Sequence, residues 1–295
     1  MAGITLKQAV FKYADLTQAI NDEDLERKWD WQDYEEGVRF AFFRNYEDLR
    51  TLAIHLGNLR INAGMPPTSA QRILAQHILA YRDLQAVLLG WNEPLAQKSP
   101  AEGEWSVWDA LAHIVSAEGT FFAINLYALE GRRSKDGRPL KMPEETWEAF
   151  WANDTFETIA ASRQMKDLLV YYDQLHARVI DEFSGISEEE LDIPVMFWER
   201  SPLPLRFRLH RFDSHLRQHS IQIEKVLATV GQPMNESKRL LRLIYQALAE
   251  VEGSCMGLPE LGRDEKAEAA RHITARSQEI ASILAIPGYW QADLA

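Results

Sequence analysis

The chain is poor in cysteine and in positive charge, and it has no long apolar run. Its 295 residues include one cysteine, Cys255, which excludes an internal disulfide and a zinc site built from cysteines. The formal net charge of −12 argues against nucleic-acid binding, because neutralising phosphates requires a basic surface. No stretch reaches the ~18 apolar residues of a membrane-spanning helix, and the N-terminus lacks a signal-peptide pattern. We therefore expect a cytoplasmic protein that binds neither nucleic acid nor membrane.

The strongest pattern in the sequence is a helical periodicity of the hydrophobic residues. Hydrophobic residues make up 46 % of the chain and recur at intervals of three and four, which predicts an all-α fold. The strongest linker signal is Pro66-Pro67. We predict an N-terminal helical pair (1–66), a four-helix bundle (67–233) and a C-terminal pair (234–295). The two terminal pairs need partners for their apolar stripes, so they either pack together or pack onto the central bundle. We favour the first arrangement, a second helical layer built from both ends of the chain.

Two segments of the predicted bundle, residues 131–153 and 154–183, differ in their sequence patterns. Residues 154–183 have the spacing of one helix. Residues 131–153 are not periodic and carry five basic side chains in an otherwise acidic protein, namely Arg132, Arg133, Lys135, Arg138 and Lys141. This segment is interpreted either as a lid or anion contact, or as a solvated loop.

Histidines supply the main chemical signal. His215 and His219 are four apart in the helix predicted for 207–231, so their imidazoles stand on one face, one turn apart. One helix can offer two ligands to one metal ion in this way. A third candidate, His113, lies in the stretch EWSVWDALAHIVSAEGTFF. Each histidine is also compatible with an ordinary packed position in a helical core, and that is the interpretation favoured for His77 and His176.

The two histidine-bearing stretches resemble the DinB/YfiT-like family of four-helix-bundle metalloenzymes. The first has that family's Trp-Ser opening, followed seven residues later by a helical histidine; these are Trp105, Ser106 and His113. The second has its closing His-x-x-x-His helix with glutamine three residues further on; these are His215, His219 and Gln222. The resemblance covers residues 69–231 and implies a DinB-like bundle with additional N- and C-terminal helices.

The resemblance further implies an open metal site formed by His113, His215 and His219. Zinc is the first choice for three imidazoles, and nickel, iron and manganese also accept them. The resemblance implies metal-dependent chemistry, with some members proposed as hydrolases and others acting as transferases or isomerases that depend on a low-molecular-weight thiol. The expected partner is therefore a small-molecule substrate, and the expected cofactors are a divalent metal ion and such a thiol. A homodimer is implied by the resemblance alone.

Three further residues complete the hypothesis. Arg208 and Arg211 precede His215 on the same helix and are predicted to hold a carboxylate of the cofactor or substrate; the alternative is a surface role. Glu118 is interpreted either as a hydrogen-bond partner of a ligand histidine or as a surface acid. The alternative to an enzyme is a non-catalytic helical binding or scaffold protein whose metal site is vestigial or structural.

Overall fold

The computed structural model describes residues 3–286, and the architecture is all-α, which confirms the predicted fold class. In chain order the α-helices are α1 (Leu6–Thr17), α2 (Asp22–Leu25), α3 (Val38–Asn62), α4 (Ser69–Val87), α5 (Glu93–Ala96), α6 (Val107–Ser134), α7 (Glu144–Trp151), α8 (Phe156–Ser162), α9 (Met165–Phe183), α10 (Leu205–Thr229), α11 (Glu236–Ser254) and α12 (Arg263–Ile283). A short 3-10 turn covers Glu190–Asp192.

Strand structure is limited to two short antiparallel pairs in the part of the chain that the structure describes. Strands β1 (Lys28–Trp31) and β2 (Tyr34–Gly37) form a hairpin in which Trp31 is opposite Tyr34. Strands β3 (Pro194–Val195) and β4 (Leu203–Pro204) pair just before α10, with Val195 opposite Leu203. None of the described helices combines the length and apolar character needed to cross a bilayer.

The chain divides into two compact units. Among the described residues, the terminal unit comprises 3–66, 81–90 and 234–286, and the central unit comprises 67–80 and 91–233. Helix α4 contributes its first part to the central unit and its last part to the terminal unit, whereas the predicted boundary kept all of it in the bundle.

The terminal unit contains helices from both ends of the chain. Helix α1 packs on α12 and α3 packs on α11, and Tyr13 and Phe42 meet edge to face in its core. Residues 81–90, which include the C-terminal end of α4, belong to this unit, and two charged side chains of α4 are buried against α11. The buried Arg82 guanidinium donates to Glu252, and Arg242 donates to the buried carboxylate of Asp83.

Helix α6 lies at the centre of the central unit. It packs against α9 and α10, and apolar residues on several of its faces are buried. Its neighbours supply Phe183 from α9 and Phe212 from α10, both fully buried, with ring centroids 6.2 Å apart. Burial of each such ring contributes roughly 1.5–3 kcal/mol, so this contact stabilises the packing of α9 with α10.

The segment 131–153 contains more helix than predicted. Helix α6 continues to Ser134, where Arg132 and Arg133 in its last turn interact favourably with the helix dipole. Helix α7 then begins after Pro143, with two glutamates in its first turn. Arg133 is paired with Glu190, and Arg138 is paired with Asp136. These two cations are therefore engaged by the chain's own carboxylates.

The single helix predicted over 154–183 was wrong: the structure has two helices, α8 and α9. They separate at Arg163, which adopts a left-handed backbone with φ of 53°. The Arg163 guanidinium donates to Asp109 and stacks over the ring of Trp108 at 4.1 Å. Tertiary contacts at one arginine therefore accompany the break, and helical spacing alone does not reveal them.

Candidate metal centre

Helix α6 begins in a way that fixes the position of His113. Ser106 is the N-cap: its hydroxyl accepts from the Asp109 backbone N–H, and the Asp109 carboxylate accepts from the Ser106 backbone N–H. This capping box defines the first turn of the helix. His113 follows about two turns later and is half-buried.

Helix α10 contributes the other two imidazoles. His215 and His219 are each 7 % exposed and lie one turn apart on the face that packs against α6. Polar rings that are this buried need partners. Nε2 of His215 is paired with His113, Nδ1 of His219 is paired with Gln222, and the rings of His215 and His219 are in contact. Two helices thus bring the three predicted histidines together.

The distances within the cluster match the requirements of a metal site. Nε2 of His215 lies 3.2 Å from Nε2 of His113, and one ring nitrogen from each histidine lies within 4.8 Å of the others. Metal–nitrogen bonds of ~2.0–2.1 Å in a tetrahedral site place ligand nitrogens ~3.4 Å apart. The three imidazoles therefore fit a divalent ion with small side-chain adjustments, and three ligands leave one position open.

The lowered pKa values of two histidines in the cluster also favour metal binding. Burial, followed by the charge of His219, lowers the pKa of His113 below its ordinary value. For His215, burial and then the charges of His219, His113 and Arg211 lower the pKa to about 3. Both rings are therefore neutral at neutral pH, the state in which imidazole binds a metal.

Three neighbours surround the cluster. Nδ1 of His219 lies 2.8 Å from the side-chain oxygen of Gln222, which only accepts, so Nδ1 is the donor and Nε2 keeps its lone pair. The indole of Trp105 covers two of the imidazoles, with ring centroids 4.9 Å from His113 and 6.1 Å from His219. Phe121 packs edge-on against His215 at 5.5 Å.

A cavity of about 500 Å³ opens beside His219. Its lining includes Trp105, Glu104, Gln222 and Lys225. This volume is within the range of ~300–1,000 Å³ that is typical of small-molecule sites. The histidine cluster is therefore next to space in which a small molecule fits.

The two predicted arginines have different surroundings. Arg208 is 4 % exposed and forms two hydrogen bonds with the carboxylate of Glu199, at 2.7 and 2.5 Å. Arg211 is half-buried, and its charge contributes to the lowered pKa of His215, which places it near the cluster. Arg208 thus already has a carboxylate partner within the chain. Contact with a cofactor stays a prediction for both residues, and Arg211 is the better placed of the two.

Glu118 has neither of the roles that its sequence position suggested. It is fully buried, and its carboxyl accepts from the Tyr172 hydroxyl at 2.8 Å. Its other oxygen lies 3.6 Å from Nε2 of His77, which in turn is 3.1 Å from Nδ1 of His176. These four side chains form a second polar cluster, the inner cluster. The core positions expected for His77 and His176 agree with this arrangement.

The position of Gln222 beside His219 could be predicted from the sequence. A glutamine three residues after a helical histidine lies beside it on the same face. The covering position of Trp105 had no such signal, because it precedes the helix and its side-chain direction depends on the turn before Ser106.

Comparison with known proteins supports one assignment. The sequence model of the DinB superfamily matches residues 76–223, a span that includes all three histidines of the cluster. A comparison with curated proteins found no match, and a comparison with solved structures found none.

Proposed function

Because this chain belongs to the DinB superfamily, we propose that it is a metal-dependent enzyme whose ion is held by His113, His215 and His219. The reaction that we propose is hydrolysis of a small molecule or transfer of a group to the sulfur of a low-molecular-weight thiol. The observation that carries the proposal is the convergence of three imidazoles, with one ring nitrogen of each within 4.8 Å of the others, beside a cavity.

Imidazole binds several divalent metal ions, so the ion that occupies such a site depends partly on which metal is available in the cell. Among zinc, nickel, iron and manganese, zinc is our first choice. When bound, a divalent ion supplies Lewis-acid chemistry, by which it lowers the pKa of a water or thiol and polarises a substrate oxygen. The chain's own residues bind and orient. Gln222 holds the tautomer of His219, Trp105 restricts solvent above the cluster, and Arg211 places a positive charge near it.

The nucleophile in this proposal comes from outside the chain. The only cysteine, Cys255, belongs to the terminal unit, and burial raises the pKa of its thiol. A thiol with a raised pKa is a poor nucleophile at neutral pH. This supports an external thiol or a water as the attacking group, in keeping with a transferase or a hydrolase.

The first test is metal content by mass spectrometry on untagged protein. We expect about one zinc per wild-type chain after incubation with zinc, and none in His215→Ala, which removes a ligand. His210→Ala is the matched control, because His210 is an exposed histidine on the same helix. No metal in the wild type after incubation with zinc or nickel would refute the metal site and favour the scaffold alternative.

The second test is activity with and without thiols. Wild-type protein loaded with zinc is screened against ester and amide substrates, and against electrophiles in the presence of several low-molecular-weight thiols. We expect turnover that His215→Ala abolishes and His210→Ala retains. A loaded protein with no turnover in either screen would contradict the proposed reaction classes while leaving the metal site intact.

A further inference from the structure

The central unit contains a second cavity, of about 590 Å³, whose lining includes none of the three clustered histidines. One wall is the face of α6 that carries Gly119 and Thr120. The opposite side is formed by α7 and the start of α8, and Tyr171 of α9 completes it. The volume exceeds by far what a bare metal ion needs, and it is within the range of small-molecule sites.

Aromatic rings form much of this lining. Trp147 and Trp151 stand one turn apart on α7, with ring centroids 5.9 Å apart, and Phe156 and Tyr171 lie 5.6 Å apart. Gly119 makes room for the wall: a Cβ there would lie 3.3 Å from the Trp151 ring, closer than ordinary contact. Glycine inside a helix is about 1 kcal/mol less favourable than alanine, so this close contact lowers the intrinsic stability of α6.

The charge of the lining is entirely negative. Four carboxylates face the cavity, those of Glu144, Glu148, Asp154 and Glu157, and no lysine, arginine or histidine is among the lining residues that the structure describes. Asp154 has a structural task, because it accepts from the Tyr171 hydroxyl at 2.8 Å and from a backbone N–H. The three glutamates form no ion pair within residues 3–286.

We propose that this cavity binds a small organic cation of the quaternary-ammonium class. Aromatic faces attract such cations, and the unpaired glutamates supply the opposite charge that concave walls concentrate. A hydrated metal ion gains little from aromatic walls, and an anion is repelled by the carboxylates. The inference does not depend on the proposed metal chemistry.

The test compares two probes of nearly the same shape. Choline is titrated into the full-length protein and followed by tryptophan fluorescence and calorimetry, beside 3,3-dimethylbutan-1-ol, which replaces the charged nitrogen by carbon. We expect choline to bind about tenfold or more tightly than the alcohol, in line with the attraction of a cation to aromatic rings. Equal binding of the two probes, or no binding of choline, would overturn the proposal.

Variants locate the binding. Trp147→Leu should weaken choline binding about fivefold or more, and Glu148→Gln, at an exposed glutamate, about two- to fivefold. The matched controls are Trp198→Leu, at a tryptophan that is 78 % exposed, and Glu182→Gln, at an exposed glutamate of α9. Circular dichroism checks that each variant is folded. Choline binding that persists unchanged in both cavity variants would place it elsewhere and refute the assignment.

Discussion

The histidine cluster of His113, His215 and His219 and the inner cluster around His77 differ in access and in the partners of their nitrogen atoms. His219 lines a cavity, whereas His77, Glu118 and Tyr172 are fully buried. In the first cluster, imidazole nitrogens face one another. In the second, a carboxyl and a phenol take part.

The pKa values do not distinguish the two clusters. Burial lowers the pKa of His77 to about 3, and the pKa of His215 is lowered to about 3 as well. A depressed pKa therefore indicates a neutral buried imidazole in both places. What separates a candidate ligand from a structural residue here is convergence of lone pairs at the edge of a cavity.

The largest expected effect that separates the clusters is on stability. His77→Ala should lower the free energy of unfolding by about 3 kcal/mol, because it leaves a cavity and removes the neighbour of the buried Glu118 carboxyl. Zinc content should stay at the wild-type level. Urea unfolding and mass spectrometry measure the two quantities, with the exposed His210→Ala as control. Loss of zinc in His77→Ala with unchanged stability would reverse the roles assigned to the clusters.

A smaller effect is expected when the support of the metal site is removed. Gln222→Ala should weaken zinc affinity about 10–100-fold, since His219 loses the acceptor that holds its tautomer. Competition with a chelating dye measures this affinity. Gln218→Ala is the matched control, because Gln218 is exposed on the same helix. Equal affinities for both variants would mean that Gln222 does not orient the ligand.

The difference between the two clusters also shows what the sequence could predict. The i, i+4 spacing of His215 and His219 was sufficient to place two imidazoles on one face, and the family resemblance supplied His113. Helix geometry is local, so spacing reports it.

The partners of Glu118 were beyond such reasoning. Its carboxyl meets Tyr172 of α9 and His77 of α4, and these contacts depend on how three helices pack. The break at Arg163 has the same origin, since its contacts lie on another helix. Local patterns predicted the all-α class and most helices, whereas buried polar partners required tertiary structure.

A pH-dependent effect on stability is expected in the inner cluster. Burial raises the pKa of Glu118 well above its ordinary value, so the unfolded state releases this proton at lower pH than the folded state. The contribution of Glu118 to stability is therefore present below pH 4.5 and is lost as the pH rises towards the folded pKa. Glu118→Gln cannot ionise, and its carbonyl still accepts from Tyr172.

Urea unfolding at pH 5 and pH 8 tests this sign. Relative to wild type, Glu118→Gln should be more stable at pH 8 than at pH 5. Glu182→Gln, at an exposed position, should show no such dependence. A gain in relative stability towards low pH would show that the buried carboxyl is ionised in the folded protein.

The smallest effect concerns access to the histidine cluster. Trp105 covers His113, and burial is the main cause of the lowered pKa of that imidazole. Trp105→Ala should therefore raise the pKa of His113 towards its ordinary value. Histidine NMR titration of the metal-free protein measures this, and Trp198→Ala is the control at an exposed tryptophan. The pKa of His77 should not change, because His77 is fully buried by side chains other than Trp105. A shift in the pKa of both histidines would mean that Trp105 shields both clusters from solvent.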